Sequence, residues 1–494
     1  MEAPPQSARE TRVIEANAVA LGVSIDTLME NAGRAVAEEA ARHLQSPTDG
    51  VAVIAWTGNN GGDGFAAIHY LKQWGYSPEL WLLAPPGEIR SSPARRCFER
   101  IESTTRVRVG VPRPQELSGC SLLIDAMLGT GQHGEPRSPI REALQALEAS
   151  GLPVLSIDEP TGLGSALALR PKWTVALESV KEGMTPENSG EILVRPIGIP
   201  PAAVHETGPG VFLFYPLPES TARSPRSGRV LVIGGGPYTG APALAAMAIL
   251  RAGAERAVVA APQPAAGLIQ SYSPTLIVRP VGTDRFQPAD VSPLLHLVEQ
   301  LHIDAVVVGM GVGDAPESVG AMTDLLTKLR SRPIPLVVDA DALGPLGKVT
   351  GARSARAPCI ATPNHHEFDT HFTELHETLL ASRLEAAQRT AQERGIVLLA
   401  KDEADLLTDG HRAYLNRHHH PAMTVGGTGD VLAGVVGSLV ARGVDALDAA
   451  RLATYWVGEA GLRAFSARSW GLIATDVIEE LPGALRDGLA RVER

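Results

Sequence analysis

Two long stretches of this chain repeat one local order: an apolar run, a glycine-rich turn, then a helical segment. In the first, VAVIAW (51–56), PELWLL (78–83), SLLIDA (121–126) and PVLSID (153–158) are the apolar runs. In the second they are RVLVIGG, ERAVVAAP, DAVVVGMG, PLVVDADA and GIVLLAK, with helical segments such as APALAAMAILRAGA and GDVLAGVVGSLVARG between and after them. Strands apolar on both faces pack as a mostly parallel sheet with helices on each side. The pattern therefore predicts an α/β protein of two three-layer α/β/α domains. The segment from Leu217 to Gly228 is rich in proline and serine and has no apolar period, so the expected division is a domain at 1–216, a linker at 217–227 and a domain at 228–494. A length of 494 residues also exceeds what one core usually serves.

Composition narrows the function. Lys and Arg number 44 against 55 Asp and Glu, a net charge of −11. That balance speaks against nucleic acid or an anionic membrane as partner, since phosphate neutralisation needs clustered cations. No apolar run has the length of a membrane span, and MEAPPQSARETR carries no apolar signal core. Cys97, Cys120 and Cys359 are too few and too widely spaced for a disulfide framework or a zinc site. A cytoplasmic protein is expected.

In the first half, SIDTLMENAGRAVAEEAARHL places Leu28, Ala32, Val36 and Ala40 on one helical face, with Ser24 as N-cap. TGNNGGDGFAAIHYL follows the 51–56 run and opens a helix. Its Gly58, Gly61, Gly62 and Gly64 would let backbone approach a ligand, unless the segment is a tight turn capped by Asp63. Ligands in such sheets bind beyond the carboxyl ends of the strands. There the sequence offers Asn60, Asp125 and Thr161, an all-oxygen set suited to a hard cation, although helix capping by Asp and Thr is the plainer use.

LMENAGRAVA, GNNGGDGFAA, DAMLGTG and DEPTG, in this order over about residues 10–215, resemble the NAD(P)H-hydrate epimerase family. The resemblance implies a Rossmann-like domain that interconverts the R and S hydrates NADHX and NADPHX and binds a potassium ion through Asn60, Asp125 and Thr161. Asn59, Asn60, Gly61, Gly62, Asp63, Gly129, Thr130, Gly131, Gln132, His133, Gly134, Glu135 and Asp158 would line the substrate. Loss and return of a hydroxyl need a positioned proton shuttle, and Asp125 is the expected one. Two positions depart from the family pattern: Glu159 stands where an apolar residue is usual, and Glu15 where an Asp is usual.

In the second half, Gly426-Gly-Thr-Gly-Asp430 precedes a strongly apolar helix. Backbone amides at such a helix start can hold a transferring phosphoryl group, with Asp430 placed to take a hydroxyl proton. VVDADAL adds Asp339 and Asp341 at a strand end, and VVVGMGVG adds Gly311 and Gly313. YTGAPALAA, SPTLIVRP, GMGVG, VVDADAL, GGTGDVLAG and IATDVIEELP recur in the order of the ribokinase-like ADP/ATP-dependent NAD(P)H-hydrate dehydratases, across about residues 228–485. The resemblance implies phosphorylation of the S-hydrate by ADP or ATP with magnesium, then elimination to NAD(P)H with release of phosphate and, from ADP, of AMP. Asp430 would be the catalytic base and would also touch substrate. Ala241, Gly311 and Asn364 would contact the hydrate, and Lys401, Asp402, Glu403, Ala404, Asp405 and Gly429 the nucleotide. The fused pair resembles the bifunctional NAD(P)H-hydrate repair family, whose members tend to form homo-oligomers.

Two departures fall in this half. The family's T-P-H-x-G-E reads Thr362-Pro-Asn364-His-His-Glu367, and its K-G reads Lys401-Asp402. An aspartate beside phosphates would repel them unless it turned away or met a magnesium ion. The run His418-His419-His420 cannot aim three neighbouring rings at one ion, so a solvated loop is expected. RLEAAQRTAQERG is expected to show solvent a charged face. Two rival readings stay open at this point: a vitamin-type kinase with an N-terminal binding module, and a nucleotide-binding scaffold that has lost turnover.

Overall fold

The computed structural model describes residues 5–131, 134–218, 227–349, 357–372 and 380–492, so Gln132, His133 and most of the expected linker lie outside the described residues. The chain divides into two compact units, Met1–Val204 and His205–Arg494.

In the first unit the described strands are β1 (Val51–Ala55), β2 (Glu79–Leu82), β3 (Arg106–Val109), β4 (Leu122–Ala126), β5 (Val154–Ile157), β6 (Trp173–Leu177) and β7 (Glu191–Arg195). They form one sheet in the order β3-β2-β1-β4-β5-β6-β7, all neighbours parallel. Every residue of β1 and β4 is buried, as a central strand covered on both faces requires. Helix Ile25–Arg42 starts where expected: the Ser24 hydroxyl accepts from the Thr27 amide at 3.1 Å. It runs against helix Asn59–Gln73 so closely that a Cβ on Gly33 would lie 2.3 Å from that of Ala66. A further helix, Ala8–Ala20, precedes it.

The second unit holds β8 (Arg229–Ile233), β9 (Arg256–Ala261), β10 (Ile277–Pro280), β11 (Ala305–Val308), β12 (Leu336–Val338), β13 (Cys359–Ala361), β14 (Val397–Ala400), β15 (Asp405–Thr408) and β16 (Ala413–Asn416). Their order is β10-β9-β8-β11-β12-β13-β14-β15-β16, parallel as far as β14 and antiparallel beyond it. In both sheets chain order reverses beside the first strand, at β1/β4 and at β8/β11. That reversal leaves a crevice between loops that depart to opposite faces.

The observed division falls before the proline- and serine-rich segment. Residues 205–217 belong to the second unit because GVFLF folds into it: Val211, Phe212 and Phe214 are at most 1% exposed. Phe212 packs edge-on against Tyr455 at 6.0 Å, and the Arg451 guanidinium lies 5.1 Å from the Phe214 ring centre. The Thr207 amide donates to Leu415 O at 2.8 Å, extending the edge at β16. No helix among the described residues is long and apolar enough to cross a membrane.

Candidate active sites

At the β1/β4 crevice, Asp125 near the end of β4 is 0% exposed and accepts four hydrogen bonds. Oδ1 takes Thr161 Oγ1 at 2.7 Å and the Met127 amide at 3.2 Å; Oδ2 takes Ser156 Oγ at 2.9 Å and the Thr161 amide at 3.0 Å. Burial raises its pKa, against the pull of those donors. A carboxylate so enclosed can tie loops together or face a cation. It is badly placed to shuttle protons to a substrate, so the expected shuttle role of Asp125 meets a geometric objection. Beside it, both amide atoms of Asn60 are buried without a hydrogen-bond partner among the described residues. A Cβ on Gly129 would lie 3.4 Å from the Asn60 Oδ1. Asp125 and Thr161 thus meet directly, Asn60 lies against the loop that follows Asp125, and an orphaned amide oxygen near a buried carboxylate fits a hard cation.

The GNNGGDG segment opens a helix as expected: the helix begins at Asn59, and these residues form its first turns. A Cβ on Gly61 would sit 1.9 Å from Trp56 O, one on Gly62 2.6 Å from Met29, and one on Gly64 2.6 Å from Ala126 Cβ. These three are small because protein packs on them. Only Gly58 faces open space. Asn59 is exposed and Asp63 half-buried, in the second turn and not at the cap. Gly129, Thr130, Gly131, Gly134 and Glu135 line the partly open loop after β4, where the Glu135 carboxylate accepts from the Ala166 amide at 3.1 Å.

Asp158 follows β5 with φ +67°, a left-handed conformation that is unusual for a residue with a side chain. Its Oδ1 meets Lys181 Nζ at 2.8 Å and accepts from the Leu177 amide at 3.3 Å. Lys181, 1% exposed, also donates to Leu177 O at 2.5 Å and Ser179 O at 2.9 Å. Nothing in the sequence reading singled it out. Carboxyls crowd around this single ammonium. Burial, then Asp158 and Glu15, push Asp63 well above the usual carboxyl range. Burial and Asp158 push Glu15 up to about 7, and the same causes push Glu159 up to about 7.

At the second crevice, Gly427 begins helix Thr428–Ala441 with φ +99°. A Cβ on Gly429 would stand 3.0 Å from Lys401 Nζ, so the lysine rests directly on this helix start. Lys401 Nζ donates to Asp339 Oδ1 at 3.1 Å, and Thr362 Oγ1 donates to the same oxygen at 2.8 Å. Burial works against the lysine's charge, but Asp339, Glu367 and Asp430 outweigh it and raise its pKa. Burial, then Asp339, pushes Asp430 up to about 7, with Lys401 pulling the other way and Asp341 and Glu367 adding to the rise. Asp341 Oδ2 accepts from the Gly313 amide at 2.8 Å and so fixes the β11 loop. In that loop a Cβ on Gly311 would lie 2.4 Å from Tyr238 O, which brings it onto the loop leading to Ala241.

Both departures from the family pattern have partners. Asn364 caps helix His365–His371: its Oδ1 accepts from the Glu367 amide at 2.9 Å, and its own amide donates to Glu367 Oε2 at 2.7 Å. Asp402 turns to His365 Nδ1 at 2.9 Å and Arg383 Nε at 3.4 Å. His365 Nε2 and Arg383 Nη1 each reach Asp369 at 3.2 Å, closing a ring of an imidazole, a guanidinium and two carboxylates. Burial would raise Asp402, but His365, the Glu403 amide and Arg383 hold it below the usual range. Arg383 is 5% exposed, so the expected solvated face of its helix is interrupted there. Glu403 is exposed, while Ala404 and Asp405 turn inward, Asp405 accepting from the Asp402 amide and Asn416 Nδ2. Any ligand contact by Ala404 or Asp405 would have to be through backbone.

The three histidines are half-buried, not freely solvated, and go three ways. His418 meets Glu459 at 2.8 Å, His419 lies 3.8 Å from Asp405, and His420 stacks on Phe465 at 3.7 Å. No cluster of three His, Cys, Asp or Glu that could hold a metal occurs among the described residues.

Two doubly wound α/β units, each gathering carboxyls and one lysine beyond the carboxyl ends of its strands, define an α/β enzyme with two small-molecule sites. Residues 25–183 match the family model described as YjeF-related protein N-terminus, and residues 230–483 the model described as NAD(P)H-hydrate dehydratase. Proteins called bifunctional NAD(P)H-hydrate repair enzyme Nnr align over nearly the whole length: that of Hyperthermus butylicus at 37% identity, covering 98% of this chain and 93% of its own. Those of Archaeoglobus fulgidus, at 35% over 97% and 98%, and Methanothermobacter thermautotrophicus, at 36% over 96% and 93%, agree. The chain belongs to the family of bifunctional NAD(P)H-hydrate repair enzymes.

Proposed function

We propose that the first unit interconverts the R and S forms of NADHX and NADPHX, and that the second returns the S form to NADH or NADPH using ADP or ATP. The observation that carries the reading is the Asp430 carboxyl at a glycine-rich helix start, with Lys401 against Gly429. Asp430 takes the proton of the hydrate's hydroxyl as that oxygen attacks the terminal phosphorus. The helix amides and Lys401 hold the charge that builds on the phosphoryl oxygens, and the shortened nucleotide leaves, AMP when ADP is the donor. The ring nitrogen's electron pair then expels phosphate, and loss of a neighbouring ring proton restores the dihydronicotinamide. Ala241, Gly311 and the Asn364 amide group face the hydrate; Gly429, Lys401 and the backbone of 402–405 face the nucleotide.

Asn60, Asp125 and Thr161 would hold potassium, which would offset the buried Asp125 charge and fix the loop after β4. A magnesium ion would be carried mainly by the nucleotide phosphates, since such ions need only one or two protein carboxylates and keep the rest of their shell. The reading extends to a homo-oligomer of the cytoplasm, and light scattering on the eluting protein tests the assembly.

The deciding experiment incubates the full chain with chemically hydrated NADH, ADP and magnesium. Recovery of NADH absorbance, with consumption of both epimers, is expected. A stable phosphorylated product without NADH would assign the second unit to the small-molecule kinases instead.

A further inference from the structure

The aspartates of the first site differ in how much of each carboxyl is already used. Asp125 has both oxygens engaged by four donors and no exposure. Asp158 has one oxygen held by Lys181 and the Leu177 amide, while its Oδ2 meets no partner among the described residues. Asp63 has no hydrogen-bond or ion-pair partner among the described residues and is half-buried. Asp63 rises from the helix after β1 and Asp158 from the loop after β5, so they approach the crevice from separate elements. A reaction that removes a hydroxyl and returns it to the other face of a ring needs one group to give a proton and another to take one.

We propose that Asp63 is the acid and Asp158 the base of epimerisation, with Lys181 the positioning residue that holds Asp158 in its strained turn. The inference rests on reading the first unit as the epimerase. Asp63 protonates the hydroxyl as its C–O bond breaks. The lone pair of the adjoining ring nitrogen closes a C=N bond, and water departs. A second water adds to that carbon from the opposite face and loses its proton to Asp158, while the C=N pair returns to nitrogen. One C–O bond is broken and one made, nothing is oxidised or reduced, and the proton passed from Asp63 to Asp158 is restored through solvent. Lys181 cannot move with the reaction: two backbone carbonyls fix its ammonium. With Asp158 Oδ1 held on that ammonium, Oδ2 is the oxygen left to take the proton. The crowding that favours a protonated Asp63 beside an ion-paired Asp158 supports the division of roles.

The test follows R-to-S interconversion of NADHX by NMR without nucleotide, in oxygen-18 water, above the rate in buffer. Dehydration of purified S-NADHX with ADP reports on the second unit in the same samples. Asp63→Asn and Asp158→Asn should each slow interconversion about a hundredfold and leave dehydration unchanged. The wild-type product should carry label in its hydroxyl. Lys181→Met should slow interconversion and displace its pH profile, and Lys181→Arg should restore part of the rate. Retention of unlabelled oxygen, or an Asp63→Asn rate within about threefold of wild type, overturns the proposal. So does a Lys181→Met enzyme with an unmoved pH profile. If Lys181→Met loses the fold of the first unit, seen in thermal melting, the partnerless Asp63 decides through its asparagine variant. A wild-type chain that interconverts nothing would instead overturn the epimerase reading itself.

Discussion

Lys181 and Lys401 each stand beside an aspartate at the crevice of their own sheet, yet they are held in opposite ways. Lys181 is sealed in, its ammonium shared among two carbonyls and Asp158. Lys401 keeps part of its side chain open, touches one carboxylate and rests on a glycine with no side chain to shield it. The difference matches the two chemistries. Epimerisation transfers no phosphoryl group, so at its reacting carbon a fixed cation that orients a carboxylate is enough. Phosphoryl transfer brings several negative charges with the nucleotide, and a cation that can reach them is needed. The acidic surroundings that raise both Asp63 and Asp430 therefore serve a static balance in one unit and a waiting one in the other.

That contrast can be broken at several points. The largest effect is expected at Asp430. Asp430→Asn should lower dehydration about a thousandfold while epimerisation is kept, and equal loss of both activities would deny that the sites are separate. Its carboxyl, pushed up to about 7, must be ionised to accept a proton. Wild-type dehydration under limiting substrate should therefore climb about tenfold per pH unit below that value and level above it. A flat profile from acid to neutral pH would remove Asp430 as base. Lys401→Met comes next, with dehydration down about a hundredfold and the loss lying in kcat more than in the nucleotide KM. A pure KM effect would make Lys401 a binding group only. The smallest effect is expected at Asp402→Gly. Because Asp402 is turned to His365 and Arg383, the nucleotide KM should change by less than about threefold. A large gain in affinity would mean that Asp402 does face the phosphates.

Central strands β1, β4, β8, β11 and β14 were legible in the sequence because burial on both faces leaves near-continuous apolar runs. The edges were not. Edge strand β3 reads RVRV, with charges at every second place. Inner strand β13 escaped notice for another reason: it has only three residues. The β15–β16 hairpin follows a pattern that gave no turn signal strong enough to separate it from the strand before it. At the sites, residue types in order pointed to loops at the carboxyl ends of the strands, but orientation is a property of packing. The sequence offered no way to tell that Gly61, Gly62 and Gly64 face protein, or that Asp402 meets His365 and Arg383. Lys181, in a short polar segment after β6, stood out only once its three partners did. One missed signal was readable: GVFLF is an apolar run inside a proline-rich stretch, and it marks chain that belongs to a core.

Anyone wishing to express the dehydratase by itself would naturally cut in the proline- and serine-rich segment and start the fragment at Gly228. That cut would discard Phe212, against which a Cβ on Gly488 would come to 2.3 Å, and Tyr215, whose ring meets Trp456 at 5.7 Å. The shortened product would carry a raw hydrophobic trough along its last two helices and would be prone to clump. Starting upstream of His205 keeps that seam sealed.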